Sequence, residues 1–315
     1  MTDLRLTFLG TGAGSPSLAR NVSSLGQQWT GRGALWLFDA GEGTQQQFLR
    51  APLRLSQLEH VYVTHLHGDH VFGLPGLLAS RSSVQDIQTP VTLFGPPGLE
   101  EWLRVTLHLT GTGLRYPLTV QTVREGLIFE DDARQVYCRR LAHRIVSYGY
   151  AVWEKPRPGT FDVQRAQALG IPPGPLYGRL KAGETLTLPD GRVVDGRTLV
   201  GPPRPGRRVV VCGDTAATPA AAELAQGADV LVHEATFLND QADRAVQAGH
   251  STAGSAAQVA RDAGVGTLIL THISARYDSV SASRLGELLA EAQAIFPNTL
   301  LARDFWSYEV PPPVP

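Results

Sequence analysis

The chain has 315 residues, 43% hydrophobic and 18% charged, with a formal net charge of −1. That composition belongs to a soluble globular protein with length for one large core or two small ones, and its charge excludes nonspecific nucleic-acid binding by the chain as a whole. No apolar run approaches the ~18 residues needed to span a bilayer, and the start Met1-Thr2-Asp3-Leu4 lacks an export signal, so the expectation is a cytoplasmic protein with no membrane partner.

The predicted elements open with a strand at Leu4–Leu9 that runs into the glycine-rich turn Gly10–Gly14. A second strand, Ala34–Asp39, is followed by Gly41-Glu42-Gly43 and a helix near Thr44–Arg50. The buried strand Val61–Thr64 delivers His65 at its end, and Val71–Ser80 has helical spacing. Val91–Phe94 reads as a strand and Pro96–Leu109 as a helix with proline at its start. Leu118–Val123, Leu127–Phe129 and Arg134–Ala142 read as antiparallel strands.

The second half, from Arg208, repeats the alternation. Strand Val209–Cys212 ends at Gly213-Asp214-Thr215, and a helix over Pro219–Gln226 leads to strand Val230–His233. A helix over Thr252–Ala263 leads to strand Thr267–Leu270, which ends at Thr271-His272. A last helix, Ala282–Ile295, precedes a strand near Leu300–Ala302. In both halves polar and ionisable residues sit at strand ends, where α/β architectures place their chemistry. Cys138 and Cys212 cannot make a disulfide framework and read as buried thiols.

Residues 156–208 break this pattern. Eighteen of the 53 are Gly or Pro, and nine Arg or Lys stand against four acids, so the segment carries +5 and the rest of the chain −6. Asp162–Leu169 is amphipathic, and Thr185–Leu188 is β-like. A loop this long is either functional or disordered, and Tyr177, Leu180 and Leu186 argue for local order.

The segment Thr64-His65-Leu66-His67-Gly68-Asp69-His70 places four ligand-type residues in six positions. Strand periodicity puts His65 and His67 on one side, where two imidazoles converge on one ion. Asp69 and His70 follow where the chain turns into a helix and can face a second ion. A structural zinc site would favour cysteine, and neither cysteine is here. His60 and His108 carry no motif.

This segment resembles the HxHxDH motif of the metallo-β-lactamase superfamily. The resemblance implies an α+β class fold, an αββα sandwich, and a two-metal site completed by residues at later strand ends. His65, His67 and His143 would hold one ion, Asp69, His70 and His272 the other, and Asp214 would bridge them. Two divalent ions roughly 3.5–4 Å apart can activate water and stabilise attacking and leaving oxygens. A mixed His/Asp set suits zinc, with manganese as the alternative. Asp39 resembles a residue that orients ligands without binding metal.

Further motifs narrow the family. His233-Glu234-Ala235-Thr236, His250-Ser251-Thr252 and Thr271-His272-Ile273-Ser274-Ala275-Arg276-Tyr277 are similar to motifs of the ribonuclease Z family, as are Gly10–Gly14 with Arg20-Asn21 and the segment Ile171-Pro172-Pro173-Gly174-Pro175. Together the matches span nearly the whole chain. The resemblance implies endonucleolytic removal of the 3′ trailer from precursor tRNA, leaving a tRNA 3′-hydroxyl and a trailer 5′-phosphate.

In that chemistry the 3′-oxygen is a poor leaving group unless protonated, which suits His250 as general acid with Glu234 orienting it and favouring its charged form. Asp69, besides ligating, would accept a proton from the attacking water, and Arg276 would meet a phosphate. The family further implies a homodimer and a single domain, 1–315, with a protruding flexible tRNA-binding arm inserted at 156–190. Arg165, Arg179 and Lys181 are its candidate contacts. The alternative is a small-molecule phosphodiesterase or thioesterase of the same fold, which would keep the seven ligands and have no use for a basic Gly/Pro segment.

Overall fold

Strands built almost wholly of apolar residues must be covered on both faces, and here two sheets cover each other on the inside and helices cover them outside. The computed structural model describes residues 3–84, 89–279 and 282–313. Its first seven-stranded sheet runs, edge to edge, Ser307–Val310, Leu4–Gly10, Ser24–Trp29, Ala34–Phe38, Leu58–Tyr62, Val91–Gly95 and Leu118–Thr122. The second runs Thr299–Leu301, Thr267–Thr271, Val230–Glu234, Arg208–Cys212, Ser147–Glu154, Arg134–Leu141 and Gly126–Glu130. Each sheet is antiparallel on one flank and parallel on the other, and the switch falls at Ala34–Phe38 in the first and Arg208–Cys212 in the second.

Alternation along each strand sorts the side chains into layers. Trp36, Phe38, Tyr62 and Phe94 of the first sheet meet Tyr150, Val152, Val209, Val211 and Val232 of the second in the central core. Leu35, Leu37, Val61, Val63 and Leu93 point the other way, into the layer that holds helices Thr44–Arg50, Leu74–Ser82 and Leu99–Leu109. Val210, Leu231, Leu268 and Leu270 do the same towards Pro219–Leu224, Ala253–Ala263 and Leu285–Gln293. The result is the αββα sandwich. None of its described helices is long and apolar enough to cross a membrane.

The structure corrects several predicted elements. Leu118–Thr122 is not antiparallel; it pairs in parallel with Val91–Gly95, because the helix between them serves as the crossover. That helix starts at Leu99 rather than Pro96, behind Gly98 in the left-handed conformation (φ 95°). The last helix is Leu285–Gln293, and Ala282–Ser283 instead pairs with Asp278–Ser279. Strands Ser24–Trp29 and Ser147–Glu154 are absent from the sequence reading, since SLGQQW and SYGYAVWE interrupt their apolar content with Gly, Gln and Ser although nearly all their residues are buried.

The 156–208 segment leaves the sheet after Glu154 and returns at Arg208, and it is folded. Helices Val163–Ala168 and Pro175–Lys181 and the hairpin of Thr185–Thr187 with Val193–Asp195 enclose a small core of Ala166, Ile171, Leu180, Leu186, Leu188, Val194 and Leu199. Its two ends are tied by an antiparallel bridge between Arg157 and Arg204. Beneath them the buried Glu154 carboxylate accepts hydrogen bonds from Arg207 (2.8 Å) and from Trp29 Nε1 (2.9 Å).

Candidate active site

The strand ends of both sheets come together at one edge of the sandwich, and each delivers a polar side chain there. His65 follows the strand Leu58–Tyr62, Asp39 follows Ala34–Phe38, Asp214 follows Arg208–Cys212, and His272 follows Thr267–Thr271. Asp39 and His272 both adopt left-handed backbone (φ 58° and 56°), a conformation unfavourable to non-glycine residues and held here by the hydrogen bonds their side chains make.

Two donor sets result. His65 Nε2 lies 3.0 Å from His67 Nδ1, which is 3.2 Å from His143 Nε2, and Asp214 Oδ2 is 3.6 Å from His65 Nε2. In the second set His70 Nε2 is 3.5 Å from both Asp69 Oδ2 and Asp214 Oδ1, and His272 Nε2 is 3.3 Å from both Asp69 Oδ2 and Asp214 Oδ2. The two sets share Asp214. His65, His70, Asp214 and His272 are buried, while His67, Asp69 and His143 are half-buried.

Hydrogen bonds behind the rings decide which nitrogen faces inward. Asp39 Oδ2 accepts from His70 Nδ1 (2.7 Å) and from the Thr64 hydroxyl (2.8 Å), so that hydroxyl is left to accept from His65 Nδ1 (3.0 Å). His143 Nδ1 donates to the Gly249 carbonyl (2.6 Å). The Thr236 hydroxyl donates to Glu234 Oε2 (2.6 Å) and accepts from His272 Nδ1 (2.9 Å). In all four rings Nε2 is therefore the nitrogen that faces the cluster.

The donor set fits divalent ions. A tetrahedral ion with ligand bonds of about 2.0–2.1 Å holds neighbouring donor atoms roughly 3.3–3.4 Å apart, as these are. His70 Nε2 is buried without a hydrogen-bond partner, which would be costly unless an electrophile filled the position. Charge agrees. Burial and the charges of neighbouring histidines keep His65 well below the ordinary imidazole range, and burial likewise lowers His67 and His143, so all three are neutral donors. Burial opposes a charge on His70, yet Asp214 and Asp39 hold its pKa well above the usual value. The second set thus draws positive charge to its centre.

Beside these sets His250 Nδ1 lies 2.8 Å from Glu234 Oε1. Burial favours the neutral ring, but the Glu234 hydrogen bond and the charges of Glu234, Asp214 and Asp69 outweigh it and raise His250 to about 9. Glu234, fully buried, also accepts from the Thr215 backbone N–H (2.9 Å) and stays below the usual carboxylate range through His250. The His250 ring stacks on His272 at 5.4 Å between centroids. Cys212 is no part of either donor set, and burial pushes its thiol up to about 12.

A cleft of about 310 Å³ opens from the centre to solvent, lined among others by Gly14, His67, Asp69, His250, Arg244 and Arg276. The Gly14 N–H donates to Asp69 Oδ2 (2.9 Å), which ties the glycine-rich turn to the centre. Arg276 donates to the Ser274 hydroxyl and lies over the Phe237 ring at 5.2 Å. The sequence reading did not single out Arg244, nor the roles of Thr236 and of the Gly249 carbonyl.

Arg165, Arg179 and Lys181 are not brought to this cleft; they sit on the folded 156–208 segment. Arg165 donates to the Thr198 carbonyl, and Arg179 is paired with Glu184 at 2.8 Å. The Lys181 side chain makes no hydrogen bond or ion pair among the described residues.

Known proteins resemble this chain over nearly its whole length. Residues 196–273 match a family profile described as "Beta-lactamase superfamily domain", and residues 4–122 one described as "Anti-Pycsar protein Apyc1". The sequence is 53% identical over 308 residues to the ribonuclease Z of Trichodesmium erythraeum, covering 98% of this chain and 96% of that one. It is 52% identical over 306 residues to the ribonuclease Z of Brevibacillus brevis, with 97% and 96% covered. Among solved structures, human tRNase Z, short form, superposes with a TM-score of 0.69 at 29% identity, covering 98% of this chain and 99% of that one.

Proposed function

Because this chain belongs to the ribonuclease Z family of the metallo-β-lactamase superfamily, we propose that its cleft is the place where precursor tRNA is cut, with a role for each residue around it. The protein is a metal-dependent endoribonuclease of tRNA 3′ processing. Two ions, zinc or else manganese, would be held there, one by His65, His67 and His143 and one by Asp69, His70 and His272, with Asp214 serving both. Bound there, such ions lower the pKa of water and stabilise charge on the attacking and leaving oxygens.

The chain's own groups complete the reaction. Asp69 accepts the proton of the attacking water. The new bond forms between that water oxygen and phosphorus, the bond from phosphorus to the 3′-oxygen breaks, and His250 delivers a proton to the departing 3′-oxygen. The tRNA is left with a 3′-hydroxyl and the trailer with a 5′-phosphate. Glu234 holds His250 in its charged form, and Arg276 takes a phosphate oxygen.

The observation that carries this reading is the 2.8 Å contact of His250 with Glu234 beside the two donor sets, which supplies a proton donor that a small-substrate hydrolase with a good leaving group would not need. In the same reading the insertion at 156–190, within a single domain, is the tRNA-binding arm. Lys181 and Arg165, whose side chains no carboxylate pairs among the described residues, contact backbone phosphates, and Arg179 exchanges Glu184 for one. A homodimer would let the arm of one subunit hold tRNA for the other, and the cytoplasm is the location it implies. The direct test is incubation with a 3′-extended tRNA, with and without chelator, and mapping of both new ends. Cleavage at any other linkage, or none, would overturn it.

A further inference from the structure

The mouth of the cleft holds a cation that nothing in the chain explains. Arg244 is exposed on the short helix Ala242–Ala248 and lines the cleft together with His67, Asp69, His250 and Arg276. Most other exposed arginines near an acid are paired, as Arg179 with Glu184, Arg192 with Asp190, Arg197 with Asp195 and Arg284 with Glu287. Among the described residues the Arg244 side chain has no hydrogen-bond or ion-pair partner, although Asp243 is its chain neighbour and Asp240 is four residues away. Asp240 is engaged by Arg284 (3.3 Å).

The helix aims this side chain. Positions four apart share a helix face, and Ala248, one turn beyond Arg244, also lines the cleft and is too small to block it. The same helix runs directly into His250, whose backbone N–H donates to the Ala245 carbonyl (2.8 Å). Arg244 and His250 therefore belong to one continuous segment, whereas Arg276 comes from the segment that carries His272, two residues past Ser274, and lies over the Phe237 ring.

We infer that Arg244 is a positioning residue that binds the phosphate on the tRNA side of the cut, the one joining the last two tRNA nucleotides. This rests on the reading of the cleft as the cleavage site with His250 protonating the departing 3′-oxygen. Of the two arginines among the described lining residues, Arg276 donates to the Ser274 hydroxyl and Arg244, on the segment that carries His250, has no side-chain partner, so the next phosphate of a strand whose 3′-oxygen faces His250 is assigned to Arg244. Its planar fork matches phosphate bidentately, which a lysine at the same place would do less well.

The test is a double substitution cycle on precursor tRNA cleavage. One arm changes the protein, Arg244→Ala; the other replaces the charged linkage between the last two tRNA nucleotides with an uncharged methylphosphonate. Each change alone raises KM about tenfold, kcat changes far less, and the two together cost no more than one. Arg244→Lys recovers part of the loss, and the salt dependence of tRNA binding loses about one phosphate contact in Arg244→Ala. An unchanged KM in Arg244→Ala, or equal sensitivity of that variant and the wild type to the methylphosphonate, overturns the inference. If His67→Ala is inactive while Arg244→Ala behaves as wild type, the inference alone has failed. If His67→Ala still cleaves, the reading of the cleft has failed with it.

Discussion

The hydroxyl of Thr236 stands 2.9 Å from Nδ1 of His272 and hands its own proton to Glu234 at 2.6 Å. One hydroxyl thereby connects the second donor set to the buried carboxylate that charges His250. A donor proton can be given only once, so the direction of the first contact sets the direction of the second, and the His272 lone pair is left on Nε2, 3.3 Å from Asp69 and from Asp214.

Removing that hydroxyl with similar shape, in Thr236→Val, is expected to weaken metal retention 10- to 100-fold, the usual cost of losing such a supporting bond. Thr236→Ser is expected to keep it. Competition against a chelator of known affinity measures the effect, and equal retention by wild type and the valine variant would show that the hydroxyl does not govern His272.

The charge on His250 sets an alkaline limit. Its pKa is raised to about 9, so the protonated donor is present below that pH and is lost as pH rises through it. Glu234 is the chief source of the raising effect, and Glu234→Gln should let His250 fall toward the ordinary value of about 6.5. The kcat/KM profile on precursor tRNA should accordingly lose activity at lower pH in the variant than in the wild type. An alkaline limb that stays in place would remove His250 from the role of proton donor.

His67→Ala takes from the first donor set the ring that lies between His65 and His143. Cleavage of precursor tRNA should be lost while tRNA binding, measured by gel shift or anisotropy, is largely kept. Chelator treatment of the wild type should reproduce this, with activity restored by adding back zinc or manganese, and the more effective ion identifies the metal.

The folded insertion can be excised cleanly because its ends are close. The Gly201 N–H donates to the Thr160 carbonyl (2.9 Å), so residues 161–200 can be replaced by a two-residue turn without leaving half of the small core exposed. Precursor tRNA cleavage should fall severely, and hydrolysis of bis-p-nitrophenyl phosphate should persist. Equal loss on both substrates would take tRNA binding away from this segment.

The sequence by itself determined the parts whose geometry is local. His65 to His70 lie within six positions, where a strand end and the following helical turn fix their directions, and the apolar runs at Val61–Val63, Val209–Val211 and Val230–Val232 could only be buried strands. The likeness to a known family then picked out His143, Asp214 and His272, far apart in the chain, whose donor atoms lie within 4.8 Å of their set in the fold. What remained to tertiary structure are relationships with no local signature. Every residue has a carbonyl, so nothing marks that of Gly249 as the one that orients His143. An arginine reads the same whether its side chain is paired, like that of Arg179, or lines the cleft with no partner among the described residues, like that of Arg244. The strands Ser24–Trp29 and Ser147–Glu154 escaped for the same reason, since their polar residues are buried by neighbours distant in sequence. Ligand identity is thus written along the chain, whereas ring orientation, the charge on His250 and the open place beside it are set by which strand ends the two sheets bring together.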